Sequence, residues 1–419
     1  MPVKWGAPTP GRPVTGRVVV PGSKSATARG YVLAALADGP STLTGVLDAR
    51  DTRLMRAGLS ALGVGFVDAG DGVVRVDPPA RFVPGAVEVG LAGTVMRFLP
   101  PIAALASGRS SFSGDAEASA RPVFPLLDGL CQVGVRVDHP EGLPFAVCGA
   151  GGVPGGEATI DASGSSQFVS GLLLAAARFD GGLTLRHEGP PLPSPAYIGM
   201  TVEMLRRRGV LVEATGPTSW RVEPGAIAAS DEAIETDLVN AATFLAAGMV
   251  TDGTVELAWP AVTLQAGDAI LAALEAFGAR VTRLPDAVRV TADGLTGADV
   301  DLVDAAELTP IATALAVLAD GPSRLRGVAH IRHHETDRLA ALAAEFGALG
   351  ADVRETADGL QITPGRLTGA EFHTYADHRM AHAAAVVGLA VDGVVLDDVS
   401  CTTKTIADFP RLWEGLVGG

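Results

Sequence analysis

The sequence predicts an α/β protein of two domains, each built from three strand–helix repeats around buried helices. Three observations predict it. The chain repeats itself loosely six times, with a period of about 65–75 residues. The first helical stretch of each repeat is apolar nearly all round, as in Tyr31 to Ala37, so it reads as a helix buried on every side. The second is amphipathic, as in Leu339, Leu342, Ala343 and Phe346, so it reads as a helix that covers a sheet.

Each repeat opens with a short strand, followed by a polar turn and the apolar helix. A Gly-centred stop, a second strand, the amphipathic helix and a last pair of strands complete it. The repeats start at Gly16 and near Ala86, Glu157, Ala233, Ala298 and Glu371. In the first, a strand over Arg17 to Val20 leads through Gly22-Ser23-Lys24-Ser25 into the helix. In the second, Pro100-Pro101 falls inside the apolar helix and predicts a bend. Glu223 to Asp237 is rich in Gly, Ala and Ser, has no strong period, and marks the boundary between the domains. A second crossing is expected near Arg17-Val18. The domains are then 18–235, and 1–17 plus 236–419, and two crossings beside a polar cleft suggest a hinge.

Composition narrows the function. With 47% apolar and 19% charged residues, 419 residues can bury large cores. A net charge of −15 argues against a general basic face for nucleic acid and against a polybasic membrane patch. Cys131, Cys148 and Cys401 are odd in number and lack metal-type spacing, so a reducing, cytoplasmic compartment is expected, with no disulfide framework and no metal. Residues 1–13 lack an apolar core of the secretory kind, and no run of 18 apolar residues predicts a membrane span.

The polar residues that stand out lie at helix starts. Lys24, Ser25 and Arg29 follow a strand and a small-residue turn, where backbone N–H groups and the helix dipole favour an anion. A Ser-capped helix start with two solvated cations accounts for that stretch alone equally well. The other first helices begin with Gly93, Thr94 and Arg97; with Ser165, Ser166 and Gln167; with Asp304; and with Asp377, His378 and Arg379. The second helices add Arg121, Ser194, Tyr197 and Glu335 to Arg338, and Lys404 precedes the last one. A single arginine at such a place is usually paired with a neighbouring carboxylate. Arg29, Arg97, Arg121, Arg338 and Arg379 at equivalent turns point instead to phosphate and carboxylate ligands, which guanidinium forks match.

The same stretches resemble the motifs of the 5-enolpyruvylshikimate-3-phosphate (EPSP) synthase family. PGSKS with Arg29, LAGTVMR, the Arg121-Pro122 pair, SGSSQF, the ETDR box and DHRM followed by Lys404-Thr405 occur in the family's order over essentially the whole chain. The resemblance implies a two-domain inside-out α/β fold, each domain three βαβαββ repeats, with the active site in the cleft between them. It implies transfer of the carboxyvinyl group of phosphoenolpyruvate to the 5-hydroxyl of shikimate 3-phosphate, with release of phosphate and no cofactor. The implied partners are these two small molecules, with neither nucleic acid nor membrane, and a monomer is expected. By resemblance, Lys24, Ser25, Arg29, Ser165, Ser166, Gln167, Ser194, Tyr197, Asp304, His330 and His334 hold shikimate 3-phosphate. Lys24, Gly93, Arg121, Gln167, Arg338, Arg379 and Lys404 hold phosphoenolpyruvate, while Arg97 supports its turn. Asp304 is the base for the hydroxyl, Glu335 and Lys404 serve the proton transfers at C3, Lys24 lies near the bridging oxygen, and His378 assists.

The chain also departs from the family pattern. It reads Ala28-Arg29-Gly30 where Asn-Arg-Ala is frequent, and His330 and His334 where many members have Asn and Lys. Leu91 replaces a common Asn, and Phe98 a common Pro. Three alternatives stay open: a related transferase acting on UDP-N-acetylglucosamine, a paralogue with another hydroxylated acceptor, and a non-catalytic anion-binding protein on the same scaffold. The first is opposed by Lys24-Ser25 in place of Lys-Asn and by a Cys-free loop over Gly114 to Ala120.

Overall fold

A computed structural model describes residues 2–418. The chain divides into two compact units, one continuous, Gly22–Glu235, and one split, Met1–Pro21 with Thr236–Gly419.

The continuous unit carries α1 (Lys24–Leu36), α2 (Arg50–Ala61), α3 (Gly93–Ala103), α4 (Phe124–Gln132), α5 (Ser166–Ala176) and α6 (Pro195–Arg207). The split unit carries α7 (Leu238–Val250), α8 (Gly267–Ala276), α9 (Thr309–Leu318), α10 (Arg338–Leu349), α11 (His378–Gly388) and α12 (Phe409–Val417). Helices with odd numbers up to α11 are the apolar ones. Every residue of α3 and α11 is buried, and α1, α3 and α5 pack on one another, as do α7, α9 and α11. Polar side chains cap four of these starts: Ser23 on α1, Ser165 on α5, Asp237 on α7 and Asp377 on α11. Each cap satisfies a backbone N–H that the first turn leaves open. Buried apolar helices thus begin in polar turns, which is what places polar groups at their ends.

The third repeat shows the sheet pattern. Gly156–Ile160 pairs parallel with Leu183–His187, which pairs antiparallel with Ser219–Val222, itself antiparallel to Val212–Gly216. The parallel pair needs a crossover helix, supplied by α5, whereas the antiparallel pair needs only a turn. Five of the six sheets among the described residues have this four-stranded form. The sixth has three strands, in which Val395–Leu396 pairs parallel with Glu371–Phe372 and antiparallel with Trp5–Gly6.

Two expectations are corrected. The strand ahead of α1 does not open the first repeat. Thr15–Val18 pairs parallel with Thr254–Ala258 and opens the fourth, while Glu232–Ala233 pairs parallel with Ser41–Thr44 and opens the first. Val18 pairs Leu257, so the crossing falls after Pro21 rather than before Val18. Pro100 and Pro101, where a bend is expected, sit in the last turn of α3, which runs on to Ala103.

Candidate active site

Within each unit the structure brings several of the predicted residues into contact.

In the split unit the centre is Arg338, the first residue of α10 and 1% exposed. Its Nε donates to Asp377 Oδ2 at 2.7 Å, its Nη2 to Glu335 Oε2 at 2.8 Å and to Asp377 Oδ1 at 3.3 Å. Its Nη1 donates to Glu307 Oε2 at 2.7 Å and lies 3.1 Å from His334 Nδ1. Burial alone would weaken this cation, but the carboxylates of Asp377, Glu307 and Glu335 raise its pKa well above the usual range. Glu335 Oε1 pairs with Lys404 Nζ, so one carboxylate bridges the two cations. Asp377 also caps α11, accepting from the backbone N–H of Arg379 at 2.8 Å.

Arg379 completes the group. Its Nη1 donates to Asn240 Oδ1 at 2.9 Å, and its Nε lies 3.5 Å from Glu307 Oε2. Arg379 Nε and Asn240 Nδ2 are buried without a hydrogen-bond partner among the described residues. Glu307 sits on a single 3-10 turn, Ala306–Leu308, and its Oε1 is 3.2 Å from His334 Nδ1. Desolvation opposes its charge, yet Arg338 first and then His334 and Arg379 hold its carboxyl well below the usual range. The His330 ring lies 5.6 Å from that of His334, and burial first, then His334, lowers its pKa to about 4.

Asp304 is exposed, caps no helix and makes no hydrogen bond among the described residues. His378 is 1% exposed, packs edge-on to His382 with ring centroids 5.9 Å apart, and has its Nδ1 3.5 Å from Asp377 Oδ1.

In the continuous unit Arg29 is likewise 1% exposed. It donates to Thr201 Oγ1 at 2.7 Å, Ser25 O at 3.0 Å, Ser170 Oγ at 3.2 Å and Tyr197 O at 3.1 Å. Of its five N–H groups these bonds leave one, on Nη1. Burial brings its pKa down to about 10 although Tyr197 acts the other way. Where the sequence suggested a direct anion contact, the structure gives Arg29 chiefly the work of tying Ser25 of α1 to Ser170 of α5 and to Tyr197 and Thr201 of α6. Ser194, ahead of α6, is left-handed at φ 47°, uncommon for a residue with a Cβ, and its carbonyl accepts from Tyr197 N at 3.1 Å.

Gln167 and Arg97 form a second pair here. Ser165 Oγ caps α5 through Gln167 N at 3.3 Å, Ser166 is buried behind it, and Arg97 Nη1 donates to Gln167 Oε1 at 2.8 Å. The other Arg97 nitrogens hold Pro122 O, at 3.3 and 3.0 Å, which fixes the turn carrying Arg121. Arg121 Nη1 donates to Leu91 O at 2.8 Å, and its Nε is buried without a hydrogen-bond partner among the described residues. A Cβ on Gly93 would lie 2.9 Å from Arg121 Nη2 and 3.1 Å from Arg97 Nη1. Lys24 is 3.6 Å from Asp51 Oδ2, a 3% exposed carboxylate at the start of α2.

Sequence reasoning missed Glu307, Asn240, Thr201, Ser170 and Asp51. Glu307 follows Asp304 by one turn and Asn240 lies near the start of α7, so helix-start position could have flagged both. Ser170 and Thr201 are mid-helix residues with no such signal.

The EPSP synthase (3-phosphoshikimate 1-carboxyvinyltransferase) family pattern matches residues 8–414. A 3-phosphoshikimate 1-carboxyvinyltransferase of Kocuria rhizophila is 51% identical over 429 residues, spanning 99% of this chain and 96% of the relative. Two solved structures of EPSP synthase from Acinetobacter baumannii share this fold at 23% identity, each with a TM-score of 0.82 over 99% of this chain and 98% of theirs. With that pattern matched nearly end to end, and its motifs at the starts of α1, α3, α5, α10 and α11, the chain belongs to the EPSP synthase family.

Proposed function

We propose that the chain transfers the carboxyvinyl group of phosphoenolpyruvate to the 5-hydroxyl of shikimate 3-phosphate, releasing phosphate, as a step toward chorismate and the aromatic amino acids. The observation that carries this reading is the full-length 51% identity to a 3-phosphoshikimate 1-carboxyvinyltransferase. The residue chemistry supports it. Phosphoenolpyruvate brings a phosphate and a carboxylate, and Lys24, Arg121, Arg338, Arg379 and Lys404 are fixed cations of the right number and kind. Ser25, Ser165, Ser166, Gln167, Ser194 and Tyr197 offer neutral donors suited to a phosphorylated polyol, with Arg29 acting through Ser25 and Tyr197. His330 and His334 would meet its ring hydroxyls.

The reaction then proceeds by addition and elimination. A proton delivered to C3 of phosphoenolpyruvate makes C2 electrophilic. The acceptor hydroxyl attacks C2 while its proton passes to Asp304. The tetrahedral adduct loses a C3 proton and expels phosphate, with Lys24 near the departing bridging oxygen. Glu335 and Lys404, paired in one hydrogen bond, can exchange a proton between them and serve both C3 steps. No step calls on a metal or an organic cofactor, and the reading makes the protein a cytoplasmic monomer.

The test is phosphate release on mixing the protein with the two substrates. Release with both and with neither alone is expected. No release with both would reject the activity, and release with UDP-N-acetylglucosamine in place of shikimate 3-phosphate would move the protein to another transferase class.

A further inference from the structure

We propose that the Glu307 carboxylate is an internal stand-in for a substrate carboxylate, occupying the Arg338–Arg379 pair until phosphoenolpyruvate displaces it. The proposal rests on the reading of these two arginines as ligands of phosphoenolpyruvate, and it names the carboxylate as the group they take.

Four observations support it. Every nitrogen of Arg338 is engaged, so an incoming carboxylate must replace one of its present partners. Among the three carboxylates around it, the side chain of Asp377 is 0% exposed, that of Glu335 15% and that of Glu307 22%. Asp377 also caps α11 and Glu335 also holds Lys404, so removing either breaks a second interaction. Glu307 is the most accessible of the three, and its 3-10 turn spans only Ala306–Leu308.

The second observation is charge. Arg338, Arg379 and Lys404 face Glu307, Glu335 and Asp377, three cations against three anions. With Glu307 in place the cluster is balanced, and an arriving anion gains little. With Glu307 withdrawn it carries one net positive charge, the complement of one carboxylate.

The third is fit. Glu307 reaches Arg338 at 2.7 Å but Arg379 only at 3.5 Å, and Arg379 Nε finds no hydrogen bond among the described residues. Asn240 Nδ2, whose side chain holds Arg379, is also an orphaned buried donor. The cluster therefore offers more donors than Glu307 can use, and a carboxylate free to choose its position would satisfy both arginines better. The fourth is His334 Nδ1, 3.2 Å from Glu307 Oε1 and 3.1 Å from Arg338 Nη1. The ring nitrogen can donate to Glu307 or accept from Arg338, so it can follow Glu307 out and keep it hydrogen-bonded.

A displaced internal ligand lowers apparent affinity by the fraction of protein it occupies, so Glu307→Gln should lower the KM for phosphoenolpyruvate by about three- to thirtyfold. The change in KM for shikimate 3-phosphate should be smaller than that for phosphoenolpyruvate. The melting temperature should fall, because Arg338 loses a charged partner. Tighter substrate use in a less stable protein is the signature that a purely structural glutamate would not give. An unchanged or raised KM for phosphoenolpyruvate in Glu307→Gln overturns the proposal. Should that variant not fold, Glu307→Asp, which keeps the charge but shortens its reach, is read in the same way. Absence of phosphate release by the unaltered protein would instead reject the functional reading, and calorimetric titration of both proteins with phosphoenolpyruvate then decides the Glu307 proposal, tighter binding by Glu307→Gln supporting it and equal or weaker binding overturning it.

Discussion

At Gly93, a methyl group would press on the guanidinium groups of Arg121 and Arg97, both ends of flexible side chains. Gly93→Ala should therefore leave the fold intact and shift Arg121. Its KM for phosphoenolpyruvate should rise on the order of tenfold, equivalent to about 1.4 kcal/mol of lost binding, with a smaller change for shikimate 3-phosphate. Asp304→Ala should lower kcat by about 10²–10⁴-fold, as expected for a lost general base. Because Asp304 is exposed and holds nothing, its melting temperature should not move, which separates catalysis from stability. His330 makes the opposite kind of prediction. Its imidazole stays neutral in the folded protein down to about 4, whereas the unfolded chain takes up a proton near 6.5. Stability from this group is complete above the higher value and is lost as pH falls toward the lower, by at most about 3 kcal/mol. Urea midpoints at neutral pH and near pH 5 should converge in His330→Asn relative to the unaltered protein; an equal drop in both would remove the assignment. The residue types at helix starts were legible in the sequence because charge and Gly stand out against apolar runs. What each side chain holds was not: Arg29 and Arg97 look alike from sequence as anion ligands, and only the folded neighbours show how many donors remain.

Elements were legible where they were long and periodic. The apolar helices and their covering partners came out of hydrophobic pattern alone, since a helix buried on all sides cannot carry a polar stripe. Short strands were not legible. Glu232–Ala233 is two residues long, too brief for any alternation, and its pairing with Ser41–Thr44 bridges most of the continuous unit. The Val-rich run beside Lys24 looked like the natural first strand but pairs elsewhere. Helix contacts make a further prediction. A Cβ on Gly171 of α5 would come within 2.2 Å of the Arg97 carbonyl of α3. Backbone cannot swing aside as a side chain can, so Gly171→Ala should destabilise the continuous unit by about 1–3 kcal/mol. Denaturant unfolding should register this, and an unchanged midpoint would mean the two helices are not held so close. Because Arg97 orients Gln167, turnover should fall with it.

Across the whole molecule, the strand exchange at the two crossings separates the units unequally. All three sheets of Gly22–Glu235 are built from its own residues. Expressed alone, that segment should fold, with dispersed amide resonances and cooperative unfolding. The segment from Thr236 onward lacks Thr15–Val18 and Trp5–Gly6, so it should fold poorly unless residues 2–21 are supplied. Hydrogen exchange on a chain shortened by those residues should show loss of protection at Thr254–Ala258 and Val395–Leu396 and none at Ser41–Thr44. During translation the same connectivity imposes a schedule. The arm that carries Trp5–Gly6 and Thr15–Val18 leaves the ribosome before its partners and must wait, unpaired, until residues beyond 254 and then 395 emerge, while the segment between completes itself. Nascent-chain protease mapping would find that arm made before its partner strands and among the last segments to become resistant.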